Sequence, residues 1–231
     1  MAMFRHAVKK RARILTPKEF THVLDVATLT REPERNQVLI CLTHSCGLRV
    51  SELARVTIRD VMYPSGCLRD ELTVRDAIAK FNKARTVPMT NKRLREFLEV
   101  YLDYRVKEEI GMIPQPTDEF RGLSPDLPLI FSDRKSGFTM SRKKRRLESG
   151  EFETYLACDS LENCFRRVYR KAGLYGASSH SGRRYYASTM LQQGVKLETI
   201  SLLLGHQHID HSYPYLEPTM DAIRHAFEIA L

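Results

Sequence analysis

Three points in this 231-residue chain put a fixed cation or an imidazole where a helix is expected to start or stop. Arg49 sits in the break after "THSCG", His180 and Arg183 stand three residues apart at the opening of "SSHSGRRYYASTML", and His206 follows the stop in "LLLGH". Donors at such ends can be aimed together at one charged oxygen, which is what oxyanion chemistry requires. Just beyond, "GHQHIDHSYPYLEP" packs three histidines and two tyrosines into residues 205–218. His206, His208 and His211 in HxHxxH spacing could bring two imidazoles to one zinc, as in a metallohydrolase. Asp210 is then the only nearby carboxylate, and no cysteine cluster completes the shell. The other reading of the stretch is a tyrosine nucleophile with imidazole assistants, Tyr213 or Tyr215 supplying the phenol.

Elements must hold these groups in place, and the pattern supplies a mostly helical set. "TPKEF" opens a helix over 16–29 with Phe20, Val23, Leu24 and Ala27 at helical spacing. An apolar helix runs to about Cys46, breaks at Gly47 and resumes near Val50 or Ser51. Two short β-prone pieces, "ELTVRD" and "ARTVPM", flank a polar turn at 81–83, which predicts a hairpin with Lys80 and Lys83 at its tip. Helices follow in "NKRLREFLEVYLDYRVKE", "DSLENCFRRVYRKAGL" and "KLETISLLLGH", with Tyr185 and Tyr186 expected as aromatic core after Arg183. Residues 111–139 read as loop apart from "LPLIFS". The fold class is α+β, predominantly helical with a small sheet or hairpin.

Lysine and arginine outnumber aspartate and glutamate by 37 to 28, giving a net charge of +9. The sequence pI is about 9.4. Such a balance favours a polyanion, nucleic acid or an anionic membrane. No apolar run is long enough to span a bilayer, and "MAMFRHAVKKRARIL" is basic without a signal peptide's apolar stretch, so a cytoplasmic protein with no membrane partner is expected. Five cysteines without a CxxC pair indicate neither a disulfide framework nor a cysteine zinc site. "RKKRR", Arg142, Lys143, Lys144, Arg145 and Arg146, read by itself is a solvated loop. With Lys9, Lys10, Arg11 and Arg13 it fits a phosphate-rich partner.

In combination and in order, "CGLRVSEL", "AIAKFNK", "HSGRRYYASTML" and "LLGHQHIDHSYPY" resemble the boxes of the tyrosine recombinases, the phage integrase family. The resemblance implies that family's catalytic fold over about 14–217, after a basic arm at 1–13. It implies a site-specific recombinase or integrase that breaks and rejoins double-stranded DNA through a 3′-phosphotyrosine, with no cofactor and no metal. Arg49 and Arg183 would clamp the nonbridging oxygens, Lys80 would protonate the leaving oxygen, His180 and His206 would assist, and Glu52 would orient the site. Lys83 and the 142–146 run would bind DNA. Tyr215, nine residues beyond His206, matches the family's nucleophile spacing; Tyr213 remains its rival because Pro214 intervenes. The resemblance further implies a homo-oligomer on DNA, a tetrameric synapse, room for accessory DNA-bending factors, and a bacterial or phage-encoded, nucleoid-associated protein of a mobile element. The tail over 218–231 reads as a short amphipathic helix, and the resemblance implies its exchange between protomers. With so few residues ahead of Arg49, no separate core-binding domain is expected. A non-catalytic DNA-binding regulator on the same fold is the alternative, with the zinc hydrolase behind it.

Overall fold

The computed structural model describes residues 12–115, 117–146 and 150–206. Tyr213, Tyr215, His208, His211, most of the basic arm and the 218–231 tail lie outside the described residues.

The first helix, α1 (Pro17–Thr28), starts where the sequence signals it. Thr16 caps it in a capping box with Glu19, Pro17 occupies the first turn, and Val23, Leu24 and Ala27 are buried. The second, α2 (Pro33–Cys46), is buried along most of its length and forms the centre of the molecule, with Val38, Leu39, Ile40, Cys41 and Leu42 all at 1% exposure or less. Around it pack α1, α5 (Lys92–Lys107), α6 (Asp159–Lys171) and α7 (Ser179–Gln192). Two single-turn helices, α3 (Val50–Leu53) and α4 (Ile58–Val61), lead from α2 to the first hairpin. The last described helix, α8 (Leu197–Leu204), lies against α7 and that hairpin.

Among the described residues each of the two sheets is an antiparallel pair. In the expected hairpin, β1 (Glu71–Val74) pairs with β2 (Arg85–Pro88), Leu72 facing Val87 and Val74 facing Arg85, and a 3-10 turn at Lys80–Asn82 between them. The second pair corrects the loop reading of "RKKRR". The run is a strand, β3 (Ser141–Arg146), joined to β4 (Phe152–Ala157). Its charge concealed a strand because neither face of this hairpin is buried against the core, so the sequence carries no apolar alternation. "LPLIFS" forms no strand; Pro128 makes a single bridge to Thr57 while Leu129, Ile130 and Phe131 fill the core. Among the described residues no helix is long and apolar enough to cross a membrane.

Candidate active site

Two helix ends build the centre of the site. The α2 helix stops at Gly47 and α8 at Gly205, both left-handed, with φ of 60° and 61°. Neither position tolerates a side chain: a Cβ on Gly47 would lie 2.7 Å from Tyr186 Cδ1, and one on Gly205 3.1 Å from Arg85. Carbonyls left open at these ends are taken by the two arginines. Arg183, reaching across from α7 and nearly buried, donates Nη1 to Gly47 O at 2.6 Å and Nη2 to Leu204 O. Arg49 donates Nη2 to Gly205 O at 3.2 Å. Guanidinium planes fixed by backbone acceptors are oriented in advance.

Beneath Arg49 lies Glu52, fully buried. Its carboxylate accepts Arg49 Nη1 at 2.9 Å and the Arg49 backbone N–H at 2.9 Å, closing the first turn of α3. From the other side Arg85 donates both Nη1 at 2.9 Å and Nη2 at 2.6 Å, and fixes its own Nε on Leu203 O at 2.8 Å. Burial pushes the Glu52 carboxyl up, but the Arg85 hydrogen bonds and charge, aided by Arg49 and Arg183, outweigh it and hold the pKa at about 2. Arg85 is the residue that the sequence reading missed. In "ARTVPM" it stands in phase with Val87 and Met89, but nothing local says that this row faces inward or which carboxylate meets it.

Gly182 lets α7 come this close to α2. An added Cβ there would meet Thr43 Oγ1 at 2.4 Å and His44 Nδ1 at 2.7 Å. His44 is buried, bonds Ile40 O through Nδ1 at 2.8 Å, stacks on Phe20 and meets the Tyr185 ring at a tilt of 53°. Burial holds its pKa near 4, so it is a neutral packing histidine. Tyr186 belongs with Ala187, Ile200 and Leu204 to a small cluster under α8, so the two tyrosines are core, as read from the sequence. At the start of α7, Ser178 caps the helix and accepts from the His180 N–H. The His180 ring stands at the rim. Desolvation lowers its pKa, Glu162 opposes, and Arg183, Arg49 and Lys80 lower it again, which places all three cations within electrostatic reach of one imidazole.

Lys80 starts the 3-10 turn and is half-buried, whereas Lys83 is exposed. Arg55 ties this turn to the Arg49 segment, donating to Ala77 O at 3.0 Å and Ser51 O at 2.9 Å. The Lys80 ammonium is lowered in pKa by burial and then by Arg145, with Glu153 raising it and Arg49 and Arg183 lowering it. Register splits the basic run. Arg142, Lys144 and Arg146 share one exposed face with Leu156, Thr154 and Phe152. On the other face Lys143 pairs with Asp159 at 2.6 Å and Arg145 with Glu153 at 2.5 Å.

His206 follows Gly205 and is buried, its N–H bonded to Ser201 O at 3.0 Å. Thus the structure brings Arg49, Glu52, Lys80, His180 and Arg183 into one neighbourhood and puts His206 on the helix end that Arg49 and Arg183 hold.

The sequence matches the model of the phage integrase family over residues 13–221. The chain belongs to that family. Curated relatives in it include the tyrosine recombinase XerA of Pyrococcus furiosus, 27% identical over 94% of this chain and 61% of the relative, and XerC of Chlamydia muridarum, 28% identical over 80% and 47%. This integrase-family chain therefore spans about half to three-fifths of the length of those relatives. Among solved structures, XerA recombinase superposes with a TM-score of 0.65 at 20% identity, covering 94% of this chain and 65% of that one. XerH bound to a palindromic difH substrate, in a post-cleavage complex, gives 0.64 at 19% identity, covering 94% and 52%. The tyrosine recombinase catalytic fold expected from the boxes is the one observed.

Proposed function

We propose that this chain cleaves and rejoins double-stranded DNA at specific sites as a tyrosine recombinase. The supporting observation is the pair of guanidiniums, Arg49 and Arg183, fixed by carbonyls of two adjoining helix ends with Lys80 and His180 in electrostatic reach. They take the nonbridging oxygens of one phosphate and stabilise charge as the pentavalent transition state forms. Tyr215 attacks phosphorus, the P–O5′ bond breaks, and Lys80 gives its proton to the departing O5′. The phenolic proton passes to an imidazole of His180 or His206. The 3′-phosphotyrosine keeps the bond energy, and a free 5′-hydroxyl reverses the step on a new partner strand, so side-chain cations serve where other nucleases use metal and no ATP is consumed.

Arg142, Lys144 and Arg146 contact backbone phosphates from the open face of β3, and Lys83 adds to them at the first hairpin; Lys143 and Arg145 are committed to carboxylates. Recombination joins two cleaved sites, so the working form is a homo-oligomer on DNA, a tetramer at the synapse, with the tail at 218–231 passing between protomers.

The test is incubation with nicked suicide substrates drawn from DNA flanking the gene, followed by a denaturing gel and peptide mapping. A covalent adduct on Tyr215, formed in excess EDTA, is the expected result. An adduct on Tyr213 reassigns the nucleophile, binding without any adduct supports the silent regulator, and cleavage dependent on added zinc supports the histidine box.

A further inference from the structure

The β3–β4 hairpin brings a carboxylate to the site. Glu153 lies on the hairpin's inner face with 23% of its side chain exposed, and its two oxygens serve different cations. Oε2 is held by Arg145 directly across the strand pair, at 2.5 Å, and Oε1 is turned to Lys80 Nζ at 3.9 Å. Arg145 is in turn stacked on Tyr155, its guanidinium 5.8 Å from the ring centre. A chain of contacts therefore runs from Tyr155 through Arg145 and Glu153 to Lys80.

We propose that Glu153 is a positioning residue for Lys80: the second hairpin carries the carboxylate that holds the ammonium in place and charged beside two catalytic arginines. The inference rests on the leaving-group role of Lys80 given above. The charges of Arg145, Arg49 and Arg183 all oppose the Lys80 ammonium, and a group so opposed moves away or gives up its proton. Glu153, from β4, offsets those cations, while Arg145 fixes the carboxylate so that the offset is applied at one place. Charged groups facing Lys80 thus come from β3 (Arg145), β4 (Glu153), the α2–α3 break (Arg49) and α7 (Arg183, with the His180 ring beside it). A part-exposed pair of this length adds little to folding, so its removal should leave a folded protein. The arrangement also makes leaving-group protonation depend on where the hairpin sits, and the outer face of that hairpin is the one assigned to DNA phosphates.

The experiment compares Glu153→Gln with wild type on two suicide substrates, one with an ordinary scissile phosphodiester and one with a 5′-bridging phosphorothiolate, whose thiolate leaves without receiving a proton. On the phosphodiester, Glu153→Gln should cleave about tenfold more slowly, a part of what general acid catalysis supplies. The alkaline limb of its pH–rate profile should lie at lower pH, because removing the carboxylate leaves the cations unopposed at Lys80. On the phosphorothiolate the two proteins should cleave alike, and Glu153→Asp should keep the wild-type limb. Wild-type rates and an unmoved limb for Glu153→Gln overturn the proposal, as does a defect of equal size on both substrates, which marks a structural role. Lys80→Ala on the same pair reads the underlying assignment separately: failure of the phosphorothiolate to restore its cleavage removes Lys80 as the acid, whatever Glu153 does.

Discussion

The two hairpins are built of strands four and six residues long and do opposite things with their faces. In β1–β2 one face is buried: Leu72, Val74 and Val87 are wholly inaccessible, and Arg85, in the same row, is neutralised by Glu52. In β3–β4 both faces carry charge, and cross-strand partners such as Arg145 and Glu153 hold the pair. The first is therefore part of the core and a fixed mount for the proposed catalytic groups. The second is a surface, attached to the mount at Glu153 and Lys80 and free to meet a polyanion with Arg142, Lys144 and Arg146. A buried ion pair and an exposed one have different energetic consequences, and the comparison can be broken on that point.

Arg85→Ala leaves the Glu52 carboxylate buried with half its partners gone, so it should cost about 3–5 kcal/mol in urea unfolding. Arg145→Ala, across the same kind of pair at the surface, should cost no more than about 1 kcal/mol. Equal losses would show that the second hairpin is as much core as the first. Acid titration sharpens the same contrast. Glu52 has a folded pKa of about 2, below its unfolded value, so its contribution is complete above the unfolded pKa and disappears as pH falls from there through 2. That contribution is about 3 kcal/mol at neutral pH. Glu52→Gln should be less stable near neutrality and should lack this acid slope; an unchanged slope would place the pair's charge elsewhere. Gly182→Ala pushes α7 off α2 and should cost about 1–3 kcal/mol, with Arg183 displaced from Gly47 and cleavage reduced further than stability alone explains. Smallest in stability is neutralising Arg142, Lys144 and Arg146 together, which should leave unfolding unchanged within about 0.5 kcal/mol. The same triple variant should reduce the salt slope of DNA binding by up to about 3. Neutralising Lys143 and Arg145 should reduce it less, and an equal effect would mean that the register does not sort the cations.

What the sequence made legible follows the same division. Thr16 and Pro17 announced α1, the apolar run announced α2, and glycines 47 and 205 announced the stops that orient the arginines, because caps and periodicity are local properties. The first hairpin was legible through alternation of apolar residues. Arg85 was not, since reading it as buried required knowing that β2 faces inward and that Glu52, 33 residues away, faces it. The second hairpin was illegible because charge pairing across strands leaves no hydrophobic period. Glu153 had no signal at all; its meaning arises only when β4 brings it to Lys80.

Arg49 and Arg183, held by the two helix ends, are proposed to stabilise charge on the nonbridging oxygens of the phosphate being cut. The decisive readout is adduct formation of Arg183→Ala on two matched suicide substrates, one with a normal scissile phosphate and one with a methylphosphonate there, in which a methyl group replaces one nonbridging oxygen and the diester's negative charge is gone. The variant should lose on the order of 10²–10³ in cleavage rate on the phosphate and recover most of it on the methylphosphonate. Equal loss on both substrates, in a variant that still binds DNA, would contradict that proposal.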